Sequence, residues 1–533
     1  MSGITNNIQP IDGITIEGSD RGELIFGSFR DDLIDGKGGN DLILGLSGDD
    51  TMSGGEGEDS IFGGSGADRI IGNTGNDRML GGSGDDMLVW NNGDGSDLMN
   101  GGRDDDRVQV NFDTDLVNDD LQNKDVAEFS TTAQGVQFAR IEVNDQTEVG
   151  LFQLDIRETE ALETNFGGGD DTAVIVDDVL DQIVLDLDGG DGVDTLDLSQ
   201  AAATVGVDLQ KGTLGQSTAV NFENVIGTAF KDKIKGDRED NVLSGLAGDD
   251  RLNGRGGDDI IAGNTGNDRM FGGGGDDLLV WNNGDGSDLM NGGSGYDRVQ
   301  VNFDTDLVND DLQNKDVAEY SVTDTGVQFA RIEVNEQTER GLFQLDIRNT
   351  EALETNFGGG DDTAVVVGDV LSKVFLDLDG GAGIDTLDFS QVAGPVSVDL
   401  SDGSVEVDNG GGQDASAVDF ENVIGTDSND VIRGNDQDNV IRGGSGNDIM
   451  TGGAGADTFV FAEGEVGVDV ILDFEVGVDR IVFETTNPDA TPENLLANLS
   501  QVGDDVELSI SGRSILIEDT SVADFSASDF LIA

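Results

Sequence analysis

GGEGEDSIF (Gly54–Phe62) runs directly into GGSGADRII (Gly63–Ile71). Both follow Gly-Gly-x-Gly-x-Asp-x-apolar-x. Glycine at the first, second and fourth places permits backbone with positive φ that other residues resist, so the first six residues read as a turn. The last three, with one large apolar side chain between two others, read as a very short strand with one inward residue. Working outward, the same nine-residue phase starts units at Gly18, Gly27, Gly36, Gly45, Gly54, Gly63, Gly72 and Gly81. Their sixth residues are Glu23, Asp32, Asp41, Asp50, Asp59, Asp68, Asp77 and Asp86. The eighth are Ile25, Ile34, Ile43, Met52, Ile61, Ile70, Met79 and Leu88. The opening unit, with Glu and without the later glycines, reads as a cap. Tandem units in fixed phase mark a solenoid in which each repeat is buried by its neighbours.

A second block starts units at Gly227, Gly236, Gly245, Gly254, Gly263 and Gly272, and a third at Gly425, Gly434, Gly443 and Gly452. Between them lie β-rich spacers. VQV (Val108–Val110), VQFARIEV (Val136–Val143) and LFQLDI (Leu151–Ile156) are strand-like by alternation and β-branched content. The chain also repeats itself at an offset of 191 residues: VWNNGDGSDLMNGG stands at Val89–Gly102 and Val280–Gly293, and ALETNFGGGDDTAV at Ala161–Val174 and Ala352–Val365. The second copy carries a Gly- and Asp-rich insertion near Asp402–Ser416, expected to be a surface loop. The organisation is a lead (1–17), block 1 (18–102), spacer 1 (103–226), block 2 (227–293), spacer 2 (294–424), block 3 (425–461) and a C-terminal domain (462–533). In the last, Thr491-Pro492-Glu493 predicts a capped short helix, and a hairpin is expected around Ser511–Gly512. The fold class is all-β: parallel β-roll blocks, β-rich spacers and a small β-rich C-terminal domain.

Among 533 residues, 110 Asp and Glu face 28 Lys and Arg, a formal charge of −82. Such self-repulsion opposes a compact state and makes nucleic acid and anionic surfaces poor partners; cations are the natural ones. There is no Cys and no His, which removes disulfides, thiolate metal sites, His-based nucleophile dyads and His zinc sites. The start, MSGITNNIQPIDG, has no basic and apolar pattern of a signal peptide, and no run of about 18 apolar residues spans a membrane as a helix.

Turns of this kind aim backbone carbonyls at one point, and the sixth-place Asp adds a carboxylate. An all-oxygen donor set suits a hard cation taking six or more ligands, which favours calcium over magnesium. One buried apolar residue per nine cannot offset the entropy of ordering them, so bound cations are expected to complete the stability. The candidate metal-binding residues are Asp32, Asp41, Asp50, Asp59, Asp68, Asp77, Asp86, Asp194, Asp232, Asp250, Asp259, Asp268, Asp277, Asp297, Asp385, Asp430, Asp448 and Asp457. Asp194 comes from GGDGVDTLD (Gly189–Asp197). Asn241, Asn439 and Glu23 depart from Asp at the sixth place, and weak or absent sites are expected there. Asp104 replaces the fourth glycine in the unit at Gly101, so its duplicate at Gly292, with Asp297, reads as the better turn. Trp90 and Trp281, just after the last regular nonapeptide of blocks 1 and 2, read as aromatics sealing the end of a roll, with sugar stacking as the alternative. Paired carboxylates could serve a glycosidase, but these stand in glycine turns, and no catalytic residue is assigned.

The units resemble those of the RTX (hemolysin-type) calcium-binding nonapeptide-repeat family of bacterial, type I secreted proteins. The resemblance implies a parallel β-roll in which each unit is half a coil. Calcium ions then sit between units i and i+2, as between Asp59 and Asp77 or Asp68 and Asp86, at about twelve places at most over the three blocks. GGxGxDTLD followed by VDL and FENVIGT resembles a junction of that family, and DVILDFEVGVDRIVF (Asp469–Phe483) resembles its block-closing segment. The resemblance further implies export through a type I channel, directed by the C-terminal region, and folding on calcium outside the cell. The expected function is a secreted, non-enzymatic calcium-binding protein with a structural, surface or matrix role. The alternative is a calcium-dependent adhesin or glycan-binding module; a polysaccharide-active enzyme comes third.

Overall fold

A computed structural model describes residues 13–112, 124–144, 147–303, 315–324, 326–334, 339–407, 415–487, 490–510 and 512–533. Most of the lead and the centre of the insertion near Asp402–Ser416 lie outside these. The chain forms two compact units, residues 1–257 and 258–533.

In the first unit the three-residue tails of successive nonapeptides alternate between two parallel sheets. Thr51–Ser53 pairs with Leu33–Asp35 on one side and Arg69–Ile71 on the other, Met52 opposite Ile34 and Ile70. Ser60–Ser65 belongs to the other sheet, between Leu42–Ser47 and Arg78–Ser83. A strand therefore pairs with the one two units away, and two nonapeptides make one coil of a parallel β-roll. The eighth residues fill the interior: Ile43, Met52, Ile61, Ile70, Met79 and Leu88 are fully buried. With a side-chain period of two, one inward apolar residue per tail fixes this register.

The spacer is not a break in the roll. Arg107–Asn111 continues one sheet to Ala161–Asn165 and then to Val184–Asp188, all parallel. In the other sheet one position is taken by an antiparallel meander, Lys124–Thr132, Gly135–Asn144 and Thr147–Arg157. Its last strand pairs with the repeat strand Leu98–Arg103, and its first pairs in parallel with Thr172–Asp177. The second unit repeats this with Lys315–Val322, Val327–Val334 and Glu339–Arg348.

The continuing roll corrects the reading of the tryptophans. Trp90 and Trp281 do not seal an end; they are fully buried inside the coil as it passes into the spacer. Trp90 Nε1 donates to the Gly95 carbonyl at 2.8 Å, and its ring meets Phe112 edge-on, which stacks on Phe166 at 4.9 Å. Trp281, Phe303 and Phe357 repeat the row. Burial leaves neither indole face open to a sugar. The aromatics fill the coil beside the meander, with Phe112 and Phe303 also packing on its Phe138 and Phe329 at 5.8 Å.

Block 3 continues the same way into the C-terminal domain. Thr458–Ala462 pairs with Arg480–Glu484, which pairs with Phe530–Ile532. Val468–Ile471 pairs with Arg513–Ile517, the last strand of an antiparallel trio with Leu499–Val502 and Asp505–Ile510. The expected helix is Pro492–Ala497, with Thr491 as N-cap accepting from the Asn494 N–H.

Candidate metal-binding turns

Each regular turn fixes its aspartate through the neighbouring coil. The N–H of Asp59 donates to Asp77 Oδ1 at 2.7 Å, that of Asp41 to Asp59 Oδ1 at 2.7 Å, and those of Asp50 and Asp68 to Asp68 and Asp86 at 2.8 Å. Residues 18 apart are thus joined, while Asp59 and Asp68 follow strands in different sheets. The second carboxylate oxygen, Oδ2, of Asp41, Asp50, Asp59, Asp68, Asp77 and Asp86 is buried and accepts no hydrogen bond from the protein.

The glycines make room for that oxygen. A Cβ on Gly54 would lie 2.3 Å from Asp59 Oδ2 and 2.7 Å from the Gly72 carbonyl oxygen of the next coil. The first glycine is therefore a cradle in which a carboxylate oxygen and a backbone carbonyl oxygen converge. Gly55 and Gly57 take φ of 110° and 135°, which aims the turn's peptides.

Burial without a partner pushes these carboxyls up, and neighbouring carboxylates add to it against the stabilising N–H bond. Asp68 and Asp77 are raised to about 7, Asp50 and Asp86 to about 6. A row of buried oxygens that resist ionisation, each beside carbonyl oxygens, fits a hard divalent cation. Among the described residues no three acidic side chains converge, so backbone carbonyls would supply most of the remaining ligands. Asp59 with Asp77 and Asp68 with Asp86 are the residues that would hold calcium, and the ion would neutralise the turn.

The other predicted residues fall into two classes. Asp194, Asp277, Asp297, Asp385 and Asp448 repeat the regular pattern, with Oδ1 bonded to an N–H of the preceding coil and Oδ2 buried without a hydrogen bond. Asp250 and Asp457 accept the N–H of Asp232 and Asn439, while Asp259 and Asp268 donate theirs to Asp277 and Asp288. Asp32, Asp232 and Asp430 differ. In each, both oxygens are taken: Oδ1 by Ile14, Val205 or Val396 N–H, and Oδ2 by the N–H of Ser28, Thr228 or Thr426. Asp32 stays below the usual carboxylate range: burial opposes this, but the N–H groups of Ser28 and Ile14 outweigh it.

A hydroxyl residue at the second place, where regular units have glycine or another residue with positive φ such as Lys37, Leu46 or Asn73, closes the turn on its own carboxylate. Glu23 is closed by Ser19 in the same way. Asn241 and Asn439 use their oxygen for the N–H of Asp237 and Asn435 and donate from Nδ2 to the carbonyls of Glu223 and Glu421 at 3.0 and 2.9 Å. The amide nitrogen stands where the other turns have the bonded Oδ1, and the amide oxygen, already hydrogen-bonded and uncharged, stands against the first glycine where they have the bare Oδ2. The first two units of every block are therefore self-closed.

Further aspartates join the row outside strict nonapeptide phase. Asp97 and Asp288 accept the N–H of Asp77 and Asp268 at 2.8 and 2.7 Å and bury Oδ2 without a hydrogen bond, with Asp97 pushed by burial to about 8. The signal was present: NGDGSD keeps Gly-x-Gly-x-Asp, displaced by two inserted residues. Asp106 corrects the preference for the Gly292 turn. Asp104 adopts φ of 85° in the fourth glycine's place, and Asp106 accepts the Asp86 N–H at 2.9 Å just as Asp297 accepts that of Asp277. Asp469 extends the row past block 3, accepting the Asp448 N–H at 3.1 Å.

The profile of the RTX calcium-binding nonapeptide repeat, four copies long, matches residues 17–52, 53–88, 226–261, 254–280 and 424–459. The chain carries RTX calcium-binding nonapeptide repeats. The matched segments cover the turns from Glu23 to Asp86, from Asp232 to Asp277 and from Asp430 to Asp457, while those of Asp97, Asp106, Asp194, Asp288, Asp297, Asp385 and Asp469 fall outside them. No curated protein matches the chain. Among solved structures it is similar to the extracellular lipase LipA from Serratia marcescens, at 16% identity over 64% of this chain and 45% of that one, with a TM-score of 0.18. The chain thus spans less than half of the lipase's length. Among the described residues no helix of this chain is long and apolar enough to cross a membrane.

Proposed function

We propose that this is a secreted, non-enzymatic RTX protein whose roll folds when calcium fills its turns outside the cell, and which then serves a structural, surface or matrix role. The observation that carries this reading is the row of buried Oδ2 atoms without hydrogen bonds, each beside a glycine cradle. At low cytoplasmic calcium the chain, at −82, stays open and can thread a type I channel. Calcium outside closes it. The C-terminal domain, Ala462–Ala533, directs export. Deleting it should abolish appearance of the protein in the medium and on the cell surface while synthesis continues; fractionation and immunoblotting measure this, and undiminished export would refute the assignment.

A second reading, a calcium-dependent glycan-binding adhesin, is favoured by one feature. A polar groove of about 340 Å³ in the second unit is lined by Asn267, Arg269, Ser287, Thr323, Gln328 and Gln344, where the meander meets the turn of Asp268 and Asp288. The duplication places identical residues at Asn76, Arg78, Ser96, Thr132, Gln137 and Gln153. Amide, hydroxyl and guanidinium groups suit a polyhydroxylated ligand. A glycan array in millimolar calcium should then give saturable binding that EGTA abolishes, and a blank array would leave the structural role alone.

A further inference from the structure

In the regular stack, two oxygen atoms from neighbouring coils lie against adjacent glycines. A Cβ on Gly64 would meet the Leu46 carbonyl oxygen at 2.3 Å, and one on Gly63 would meet Asp68 Oδ2 at 2.3 Å. Leu46 holds the second place of its unit and Asp68 the sixth place two units on. At the last coil the corresponding atoms are the Gly444 carbonyl oxygen and Asp469 Oδ2. Here the regular cradle is missing, since nothing lies within 4 Å of a Cβ on Gly464, the first place of Asp469's turn.

A side chain fills the gap instead. Arg513 is almost fully buried. Its Nη2 donates to the Gly444 carbonyl at 2.6 Å, its Nε lies 3.5 Å from Asp469 Oδ2, and its Nη2 lies 3.4 Å from Glu465 Oε2. The guanidinium also rests over the Phe461 ring, 5.0 Å from its centre. Glu465 is in turn held by Arg442 at 2.8 Å. An arginine keeps its charge at any pH of interest, and its planar fork reaches a carbonyl and carboxylates together.

We propose that Arg513 is the resident cation of the last coil, standing between Gly444 and Asp469 where calcium would stand between the regular turns, so that this end of the roll closes without metal. The inference rests on the calcium reading of the regular turns. A related use of arginine occurs in the first unit, where Arg255, second in the turn of Asp259, reaches back to the turn of Asn241. It takes φ of 83° in a glycine's place, donates to the Gly236 carbonyl at 2.6 Å and grips both oxygens of Asp208 at 2.8 Å. Both arginines lie where the aspartate row lapses or ends. An end that needs no ion gives the incoming calcium-bound coils a formed edge to pair with, which a solenoid otherwise lacks.

Hydrogen exchange on the full chain in EGTA tests this. Amides of Val468–Ile471 and Arg513–Ile517 should exchange at least about tenfold more slowly than those of Ser60–Ser65. Arg513→Gln should remove that difference, and in saturating calcium the variant should hold one more ion per chain, counted by mass spectrometry of the dialysed protein. Arg513→Lys, which keeps the charge without the fork, should retain part of the protection. Equal exchange in the two regions of the wild type, or protection that survives Arg513→Gln, overturns the proposal. So does an equal loss in the Lys and Gln variants, which would assign Arg513 to packing on Phe461. Protection of Ser60–Ser65 in EGTA would count against calcium-driven folding itself, and Arg513→Gln still decides the role of the arginine.

Discussion

Removing calcium with EGTA at pH 7.5 should convert most of the far-UV circular dichroism of this chain from β to coil, and millimolar calcium should restore it. Magnesium at the same concentration should not, because it demands tight octahedral geometry and gives up water reluctantly. The size of the effect follows from how little else holds a regular turn. Its apolar content is one buried residue, such as Ile61 or Ile70. Its carboxylate is desolvated on one oxygen, a cost that a cation reverses. A ligand at 100 times its Kd contributes about 2.7 kcal/mol per site. Five such ions reach the upper part of the 5–15 kcal/mol that typically separates folded from unfolded domains, so their loss is enough to open the roll. The effect should be local to the open turns. Asp68→Asn removes a bare Oδ2 and should raise the calcium midpoint several-fold. Asp32→Asn, in a turn already closed by Ser28 and Ile14, should move it little. A β spectrum unchanged by EGTA would remove the basis of the proposed function.

The contrast between Asp68 and Asp32 also shows what could be read from the sequence. The nine-residue phase and its one apolar place are enough to specify two strands per coil, an inward row and aspartates 18 apart, because period and burial dictate them. The state of each aspartate was harder to see, since it depends on the second residue of the unit. Ser28, Thr228 and Thr426 look like tolerated replacements of glycine, yet each closes its turn by donating both its backbone N–H and its hydroxyl to the aspartate. The continuity of the roll through the spacers was hidden for another reason. Arg107–Asn111 and Ala161–Asn165 are register neighbours although 54 residues separate them, and nothing local in either strand names its partner. The place of Trp90 is hidden with them: an aromatic after the last glycine turn looks terminal until the coil is seen to go on. Arg513 lay further out of reach, because its role is set by Gly444 and Asp469, both distant in the chain.

Lowering the pH of the calcium-free chain from 8 to 5 should make it gain β structure, the opposite of the usual acid response. In the metal-free roll, burial first and neighbouring carboxylates second hold Asp97 at about 8 and Asp68, Asp77, Asp194, Asp385 and Asp448 at about 7, while Asp50, Asp86, Asp277 and Asp457 lie at about 6. In the unfolded chain an aspartate titrates at about 3.9. Between these values the folded state carries more protons than the unfolded one, so stability falls as pH rises through the window and returns as pH falls. The full contribution is present below about 4 and is gone above about 8. Asp208 runs the other way, but Arg255 and Lys211 hold it at about 2, so its contribution is lost only in acid outside the window. The interval from 8 to 5 also stays above the isoelectric point of about 4.1, where a chain of this charge remains soluble. Circular dichroism in EGTA across that interval checks the sign. A β signal that is flat or falls toward pH 5 would mean that the bare carboxylates do not limit the metal-free fold. A rise centred between about 6 and 8 would identify protons and calcium as alternative ways of neutralising the same buried oxygens.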